Sequence, residues 1–419
     1  MSLLPGRPLM AAAWAVAVLA SASPPMAAAA AHVTAPSFEE LLARLEALPS
    51  VLEAEALHDA AAARAQQARA APNPAIAWER ENVYGSGPYS GSGNAESMLS
   101  IRQPLELFGQ RSARIEAAGA EAGTAGLRRE QARWQAAGRL ALVYAEAEAA
   151  ARRHQLANEA LASTEQDARG ISAMVEQGRA PSVRGIQARS EVEAARAALD
   201  EATAGRDGAL ARLAAIALLD PPPQAIGTSL LDRAPPAPAS GMVEPPAVQL
   251  AEAELDSASR RVTVERRRAF PEVSAGIGMR RFRATGDHAL TLGIEFTLPL
   301  FDRNDGGIQA ARAEQRAAEA RLVAEKQEAR AERLAATAAL AASASRTHAA
   351  DSAVAAAEEA YRLSRIGFEA GRISQLELRS SRAELITARN AAVDARMARV
   401  RAEIDLARLE GRAPFGVPR

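Results

Sequence analysis

Apolar and polar residues alternate along short stretches of this chain. The clearest case is residues 288–299, where every second residue is apolar: Leu290, Leu292, Ile294, Phe296 and Leu298. Strict alternation predicts a β-strand with one apolar and one polar face. It is typical both of an ordinary half-buried strand and of a strand in a transmembrane barrel. Residues 75–84, 96–104 and 272–284 are predicted as three further strands.

Helical periodicity occupies most of the remaining chain. Residues 112–177 and 305–370 each predict one uninterrupted helix, and a helix of about 66 residues is about 100 Å long. Each is followed by a return helix, at residues 182–219 and 374–410, so we expect two antiparallel hairpins. Shorter helices are predicted at residues 37–70, with Ser37 as the N-cap, and at residues 247–268. Each of these leads into a pair of strands.

The two halves of the chain repeat each other. Gly178 and Arg179 recur as Gly371 and Arg372, and Arg196 recurs as Arg389, always 193 residues later. This period is far longer than that of stacked repeat proteins, so it indicates a duplicated module. The first repeat is assigned to residues 31–219 and the second to residues 247–411. Between them lies a proline-rich linker, residues 220–246, which forbids a continuous helix, and residues 412–419 form a tail.

The first 30 residues are predicted to be a secretory signal peptide. Arg7 precedes an apolar stretch at residues 9–20, and small residues follow up to Ala30. The apolar stretch is shorter than the roughly 20 residues of a membrane-spanning helix. The chain has no cysteine, which excludes disulfides and an acylated cysteine as a lipid anchor.

Composition argues against several classes of function. Fifty basic and 51 acidic residues give a net charge of −1, so no nucleic-acid partner is predicted. The five histidines show no HExxH or similar spacing, and no metal site, cofactor or catalytic centre is predicted. The glycine-rich residues 85–94 lack the Lys-Ser/Thr pair of a phosphate-binding loop and are interpreted as a hairpin.

Four strands are too few to close a barrel in a bilayer. Their outer edges would leave unpaired N–H and C=O groups in hydrocarbon. Two copies would give eight strands, whose interior side chains fill, whereas three copies give twelve strands and a lumen. The predicted fold class is therefore mainly α-helical, with a small transmembrane β part, in a homotrimer that forms a 12-stranded barrel and a coiled-coil helical barrel.

Several motifs resemble the TolC family of outer-membrane efflux channels. They are SIRQPLELFGQR at residues 100–111, FTLPLFDR at 296–303 and FEAGRIS at 368–374. The resemblance covers nearly all of the chain after the signal peptide, and EREN at residues 79–82 is closer to the cobalt-zinc-cadmium branch. It implies a passive exit duct for heavy-metal cations, in contact with outer-membrane lipid. The implied partners are a periplasmic adaptor protein and an inner-membrane RND-type pump.

The resemblance also implies a gate or adaptor contact at the periplasmic tips of the helical hairpins. By position it assigns this role to Val175, Glu176, Gly178, Arg179, Phe368, Glu369, Gly371 and Arg372. Drug-exporting members typically have a gate tyrosine where this chain has Phe368, so Glu369 and Arg372, with Glu377 one turn beyond, are expected to replace the missing hydroxyl group. The simpler interpretation, in which the two glycines only end helices in a left-handed conformation, stays open beside it. Four further residues are predicted to form the strand-to-helix joints: Pro104, Gly109, Pro299 and Asp302.

One alternative function comes from a different class. Long helical hairpins also occur in periplasmic coiled-coil adaptors and scaffolds. Such a protein would flank its hairpin with compact β-domains, whereas this chain has four isolated strands and only 4% aromatic residues. The exit duct is therefore favoured.

Overall fold

The structure, a computed structural model, describes residues 34–235 and 244–416 of the 419-residue chain. The predicted signal peptide, residues 1–30, lies outside the described residues. The helices are α1 (Phe38–Ala43), α2 (Pro49–Gln67), α3 (Gln110–Glu176), α4 (Ser182–Ala217), α5 (Pro246–Arg268), α6 (Asp305–Glu369) and α7 (Gln375–Glu410). The strands are β1 (Thr34–Ala35), β2 (Ala75–Glu81), β3 (Glu96–Leu105), β4 (Ala225–Ile226), β5 (Glu272–Phe282) and β6 (His288–Thr297).

Two long helical hairpins dominate the molecule. Helices α3 and α6 have 67 and 65 residues, which corresponds to about 100 Å each. Helix α3 packs against α4, α6 packs against α7, and α2, α3, α5 and α6 lie side by side nearer the strands. None of the helices in the described ranges combines the length and apolar character that a membrane span needs.

The two hairpins repeat the same ion pair. Arg196 of α4 contacts Glu165 of α3 at 3.2 Å, and Arg389 of α7 contacts Glu358 of α6 at 2.8 Å. The two arginines are 193 residues apart, and so are the two glutamates, which is the period found in the sequence. The duplication therefore extends from the order of the elements to the contacts between their side chains.

The strands form one antiparallel sheet in the order β2-β3-β5-β6. Its register aligns apolar residues in rows across all four strands. One row is Ile76, Ile101, Ile277 and Leu292, and the next is Trp78, Leu99, Met279 and Leu290. All eight side chains are exposed to solvent in the single chain. A contiguous apolar surface of this kind marks a face that meets lipid or a partner.

All four strands of the sheet end at a different residue from the one predicted, and β3 is the one that is longer, ending at Leu105 rather than at residue 104. Strand β2 ends at Glu81 rather than at residue 84, because Asn82 adopts a left-handed conformation with φ = 55°. Strand β5 ends at Phe282 rather than at 284, where the turn through Gly286 begins. Strand β6 ends at Thr297 rather than at 299, two residues before Pro299, which has no N–H to donate to a ladder.

The predicted helix at residues 37–70 is two helices. Ser37 is the N-cap of α1, and its side chain and that of Glu40 form a capping box. A short 3₁₀ turn, Leu45–Ala47, then separates α1 from α2. The break comes immediately before Pro49, which is the first residue of α2, because proline fits the first helical turn but not the interior of a helix.

The main hydrophobic core lies midway along the hairpins. Phe38 of α1 packs edge-to-face against Tyr144 of α3, with ring centroids 6.0 Å apart. Leu230 and Leu231 are buried in the same core, together with Phe415 near the end of the chain. Burying a leucine side chain stabilises a fold by about 1.5–3 kcal/mol.

The region predicted as a linker is therefore partly a structural element. Strand β4 pairs in parallel with β1, and the buried carboxylate of Glu148 accepts hydrogen bonds from the backbone N–H groups of Leu230 and Leu231 at 2.7 and 3.0 Å. Prolines do keep this segment from forming a helix. Its two adjacent leucines nevertheless hold it against α3, so residues 225–233 form a strap across the first hairpin.

Candidate functional site

The two hairpin tips have the same backbone geometry. Gly178 and Gly371 both follow the end of a long helix in the left-handed conformation, with φ of 66° and 72°. The next residues close the turn, as the N–H of Arg179 donates to Met174 and that of Arg372 to Gly367, both at 2.8 Å. This six-residue closure is the Schellman motif, which favours glycine at this position.

The predicted tip residues fall into two groups. Glu176, Arg179, Glu369 and Arg372 are exposed, whereas Val175 and Phe368 are half-buried. Glu377 caps α7, because its carboxylate accepts from the N–H of Ser374 at 2.8 Å while its own N–H donates to the Ser374 hydroxyl. That hydrogen bond lowers the pKa of Glu377. Its carboxylate is therefore engaged in holding the turn.

A charged cluster lies a few turns from the tips and joins three helices. The Arg382 guanidinium of α7 contacts Asp167 of α3 at 2.5 Å and Glu191 of α4 at 3.0 Å. Arg379 also contacts Glu191, at 3.0 Å. The side chains of Arg382 and Asp167 are only 10% and 14% exposed. We name Asp167, Glu191, Arg379 and Arg382 the tip cluster.

Burial governs the electrostatics of the tip cluster. Desolvation raises the pKa of Asp167, against the opposing effects of Arg382 and then Arg365. A further link between the hairpins is a 2.6 Å hydrogen bond between the hydroxyl groups of Ser163 and Tyr361. Neither the ion pairs of Arg382 nor the bond between Ser163 and Tyr361 could be predicted from the sequence, because the partners lie about 200 residues apart.

The four predicted joint residues lie at or between the ends of the strands and the starts of the long helices. Gly109 is the N-cap of α3 and has a left-handed φ of 79°. In the second repeat, the left-handed N-cap is Asn304 rather than Asp302, and Asp302 accepts a 2.9 Å hydrogen bond from the N–H of Asn304. Pro104 lies in β3 and Pro299 just beyond β6. Pro104 and Asp302 line a cavity of about 600 Å³ at this level.

The second face of the sheet is polar. Arg102 and Glu295 form an ion pair of 2.8 Å across it, and Arg280 contacts Glu81 and Glu96 at 2.9 and 2.6 Å. By register, Glu79 also lies on this face. It has no basic partner among the residues that the structure describes. Carboxylates therefore outnumber guanidinium groups here.

Three residues of α2 form another polar cluster that was not predicted from the sequence. Glu55, His58 and Asp59 bring three possible metal-ligand atoms within 4.8 Å of one another. The cluster has one histidine with two carboxylates at helical spacing, whereas HExxH and similar metal motifs have paired histidines. The spacing of Glu55, His58 and Asp59 at i, i+3 and i+4 is the feature of the sequence from which this cluster could have been predicted.

The fold now defines a class of protein. A small sheet with an exposed apolar face, carried on duplicated hairpins about 100 Å long, is the architecture of an outer-membrane channel subunit. The sequence pattern of the family described as outer membrane efflux protein matches residues 43–217 and 242–412. This chain belongs to that family, whose members are passive channels of the outer membrane rather than enzymes.

Two relatives and two solved structures illustrate the similarity. The nickel and cobalt resistance protein CnrC of Cupriavidus metallidurans is 39% identical over 70% of this chain and 71% of its own. The nickel-cobalt-cadmium resistance protein NccC of Alcaligenes xylosoxydans xylosoxydans is 37% identical over 70% of this chain and 68% of its own. Among structures, CusC has a TM-score of 0.78 at 18% identity over 91% of this chain and 93% of its own. VceC from Vibrio cholerae has a TM-score of 0.75 at 19% identity, over 90% of this chain and 96% of its own.

These comparisons confirm the predicted family, the mainly helical fold and the outer-membrane location. They do not favour the alternative of a periplasmic adaptor or scaffold. Efflux channels of the TolC type are trimers and work in tripartite systems.

Proposed function

We propose that three copies of this chain form the exit duct of a tripartite efflux system for heavy-metal cations. The observation that carries the proposal is the four-stranded sheet, which has an exposed apolar face and two unpaired edges. Such a sheet cannot lie in hydrocarbon alone, because every backbone polar group needs a partner there. Pairing β6 of one copy with β2 of the next closes a 12-stranded barrel with the apolar rows outside.

The polar face then lines the lumen, and its charge favours cations. By register, each copy contributes Glu79, Glu81, Glu96, Glu272 and Glu295 against Arg102 and Arg280. A lumen with excess carboxylates lowers the electrostatic barrier for cations. The names of the two relatives, which concern nickel, cobalt and cadmium resistance, support divalent metal ions as the cargo.

We assign the gate and the adaptor contact to the hairpin tips. The exposed charges of Glu176, Arg179, Glu369 and Arg372 would form rings in a trimer, while Gly178 and Gly371 shape the turns. The partners are a periplasmic adaptor and an inner-membrane RND-type pump. Because α7 is tied to α3 and α4 by the tip cluster, opening of the tips requires these ion pairs to separate or move together.

Assembly is tested by fractionating cells that express the full chain. We expect a heat-modifiable trimer that is extracted from outer membranes only with detergent. A matched pair of variants sharpens the test: Leu292→Arg, on the apolar face, prevents assembly, whereas Thr291→Arg, on the polar face of the same strand, permits it. Recovery of the wild type as a monomer from an osmotic-shock supernatant would overturn the proposal.

The cargo is tested by deleting the gene and measuring growth and intracellular metal. We expect greater sensitivity to Ni²⁺, Co²⁺ or Cd²⁺ and higher metal content, both restored by the wild-type gene. A panel of organic antimicrobials provides the control. Sensitivity to those compounds alone would contradict metal export while leaving the duct intact.

A further inference from the structure

Helix α2 carries three potential metal ligands on one face. Glu55, His58 and Asp59 are spaced i, i+3 and i+4, so their side chains project from neighbouring turns toward the same side. One ligand atom from each lies within 4.8 Å of the other two. The Nδ1 atom of His58 and a carboxylate oxygen of Asp59 are 3.9 Å apart, which is too long for a hydrogen bond.

The polar groups of this cluster are incompletely satisfied. Nδ1 of His58 is buried and has no hydrogen-bond partner, although the ring as a whole is 29% exposed. Buried polar atoms without partners are rare in folded proteins and call for an explanation. The Asp59 side chain is 74% exposed, and His58 is its ion-pair neighbour. A cation at this position would give Nδ1 of His58 the partner that it lacks, and the solvent-exposed carboxylate of Asp59 lies within reach of the same ion.

The charges of the cluster also favour a cation. Glu55 and Asp59 are like charges at i and i+4, a spacing at which they repel each other. Arg129 of α3 compensates Glu55 only in part, because its contact is 3.4 Å long and the same guanidinium contacts Glu130 at 3.0 Å. A divalent cation between the carboxylates would remove the repulsion that Arg129 leaves.

The packing against α3 holds the imidazole in place. Gly126 of α3 faces the ring, and a methyl group at that position would lie 3.6 Å from Cδ2 and Nε2 of His58. The ring thus rests against the α3 backbone with no side chain of Gly126 between them. A metal ligand gains affinity when its ring is oriented before binding.

We propose that Glu55, His58 and Asp59 bind one divalent transition-metal cation, weakly and exchangeably. One imidazole nitrogen with two carboxylate oxygens suits Co²⁺, Ni²⁺ or Zn²⁺. The site offers three protein ligands, whereas tight structural zinc sites have four, and Arg129 competes for Glu55. The inference rests on the proposed function only for the choice of cation. It departs from the sequence analysis, which predicted no metal site.

Equilibrium dialysis of the untagged, detergent-solubilised trimer against Ni²⁺ tests the proposal, with bound metal measured by mass spectrometry. We expect one site per protomer that His58→Ala weakens by at least about tenfold. Asp59→Asn changes an exposed side chain and should also weaken binding without affecting the fold. His348→Ala on α6 is the matched control and should leave this site unchanged.

A variant with the opposite effect separates a metal site from a structural cluster. Arg129→Gln releases Glu55 and should tighten Ni²⁺ binding. Equal binding by the wild type and by the His58→Ala and Asp59→Asn variants would overturn the proposal, as would weaker binding by Arg129→Gln. The dialysis is independent of export: normal Ni²⁺ binding with no change in metal sensitivity on gene deletion would contradict the proposed cargo and support the site.

Discussion

Removing Arg382 should loosen the tips of the duct. The Arg382→Ala variant leaves the carboxylates of Asp167 and Glu191 without the guanidinium that contacts both. Removing one partner of a buried ion pair typically costs about 3–5 kcal/mol. Arg379 still contacts Glu191, and the positive charge of Arg365 still acts on Asp167. We therefore expect the lower end of the range, about 3 kcal/mol.

This magnitude has a measurable consequence in single channels. Where the tip cluster holds α7 against α3 and α4 in the closed duct, a loss of about 3 kcal/mol shifts the closed-to-open equilibrium by roughly 100-fold. Planar-bilayer recordings of the purified trimer should then show long openings. The matched control is Arg379→Ala, because Arg379 contacts only Glu191 within the cluster and is 44% exposed.

A double variant tests the electrostatic reasoning. Adding Asp167→Asn to Arg382→Ala removes the buried carboxylate that lost its partner, so part of the closure should return. An unchanged open probability in Arg382→Ala, in a trimer of normal heat modifiability, would refute the link between the tip cluster and the gate. Equal effects of Arg382→Ala and Arg379→Ala would show that burial does not govern the cluster.

Three further predictions concern other parts of the molecule. Glu148→Ala should lower the free energy of unfolding by about 3 kcal/mol, measured in urea, because two buried N–H groups of the strap lose their acceptor. Hydrogen bonding from Arg152 lowers the pKa of Asp232 to about 2 from 3.8, so this carboxylate stabilises the fold above about pH 4 and loses its contribution as the pH falls toward 2. Acid denaturation of Asp232→Asn should therefore differ from that of the wild type at pH 6 and converge with it near pH 2. Arg372→Glu reverses an exposed tip charge and should change single-channel conductance, and identical conductance and closure would dismiss its role in the gate.

The regular parts of the fold could be predicted because their periods are local. Alternation identified all four strands of the sheet, and the long runs without proline identified α3 and α6. A predicted strand end was wrong where one residue adopts an unusual backbone conformation, as Asn82 does at the end of β2. Asparagine tolerates left-handed backbone but does not require it, so its identity alone does not mark a strand end.

Contacts between distant segments could not be predicted in this way. Leu230 and Leu231 lie among prolines, and nothing in the local pattern shows that they enter the core beside Tyr144. In the tip cluster, helical periodicity gives the face on which Arg382 lies but not its axial level relative to Asp167, 215 residues earlier in the chain. The heights of four long helices relative to one another decide such contacts.

The unpaired edges of β2 and β6 have a consequence for inheritance. In the proposed trimer, each copy needs its neighbours to close the barrel, so a defective copy would impair every trimer that contains it. In a cell that makes intact and defective chains in equal amounts, only about one trimer in eight would contain three intact copies. Defects that block the passage but preserve the edges should therefore be dominant, whereas defects that destroy the edges should be recessive.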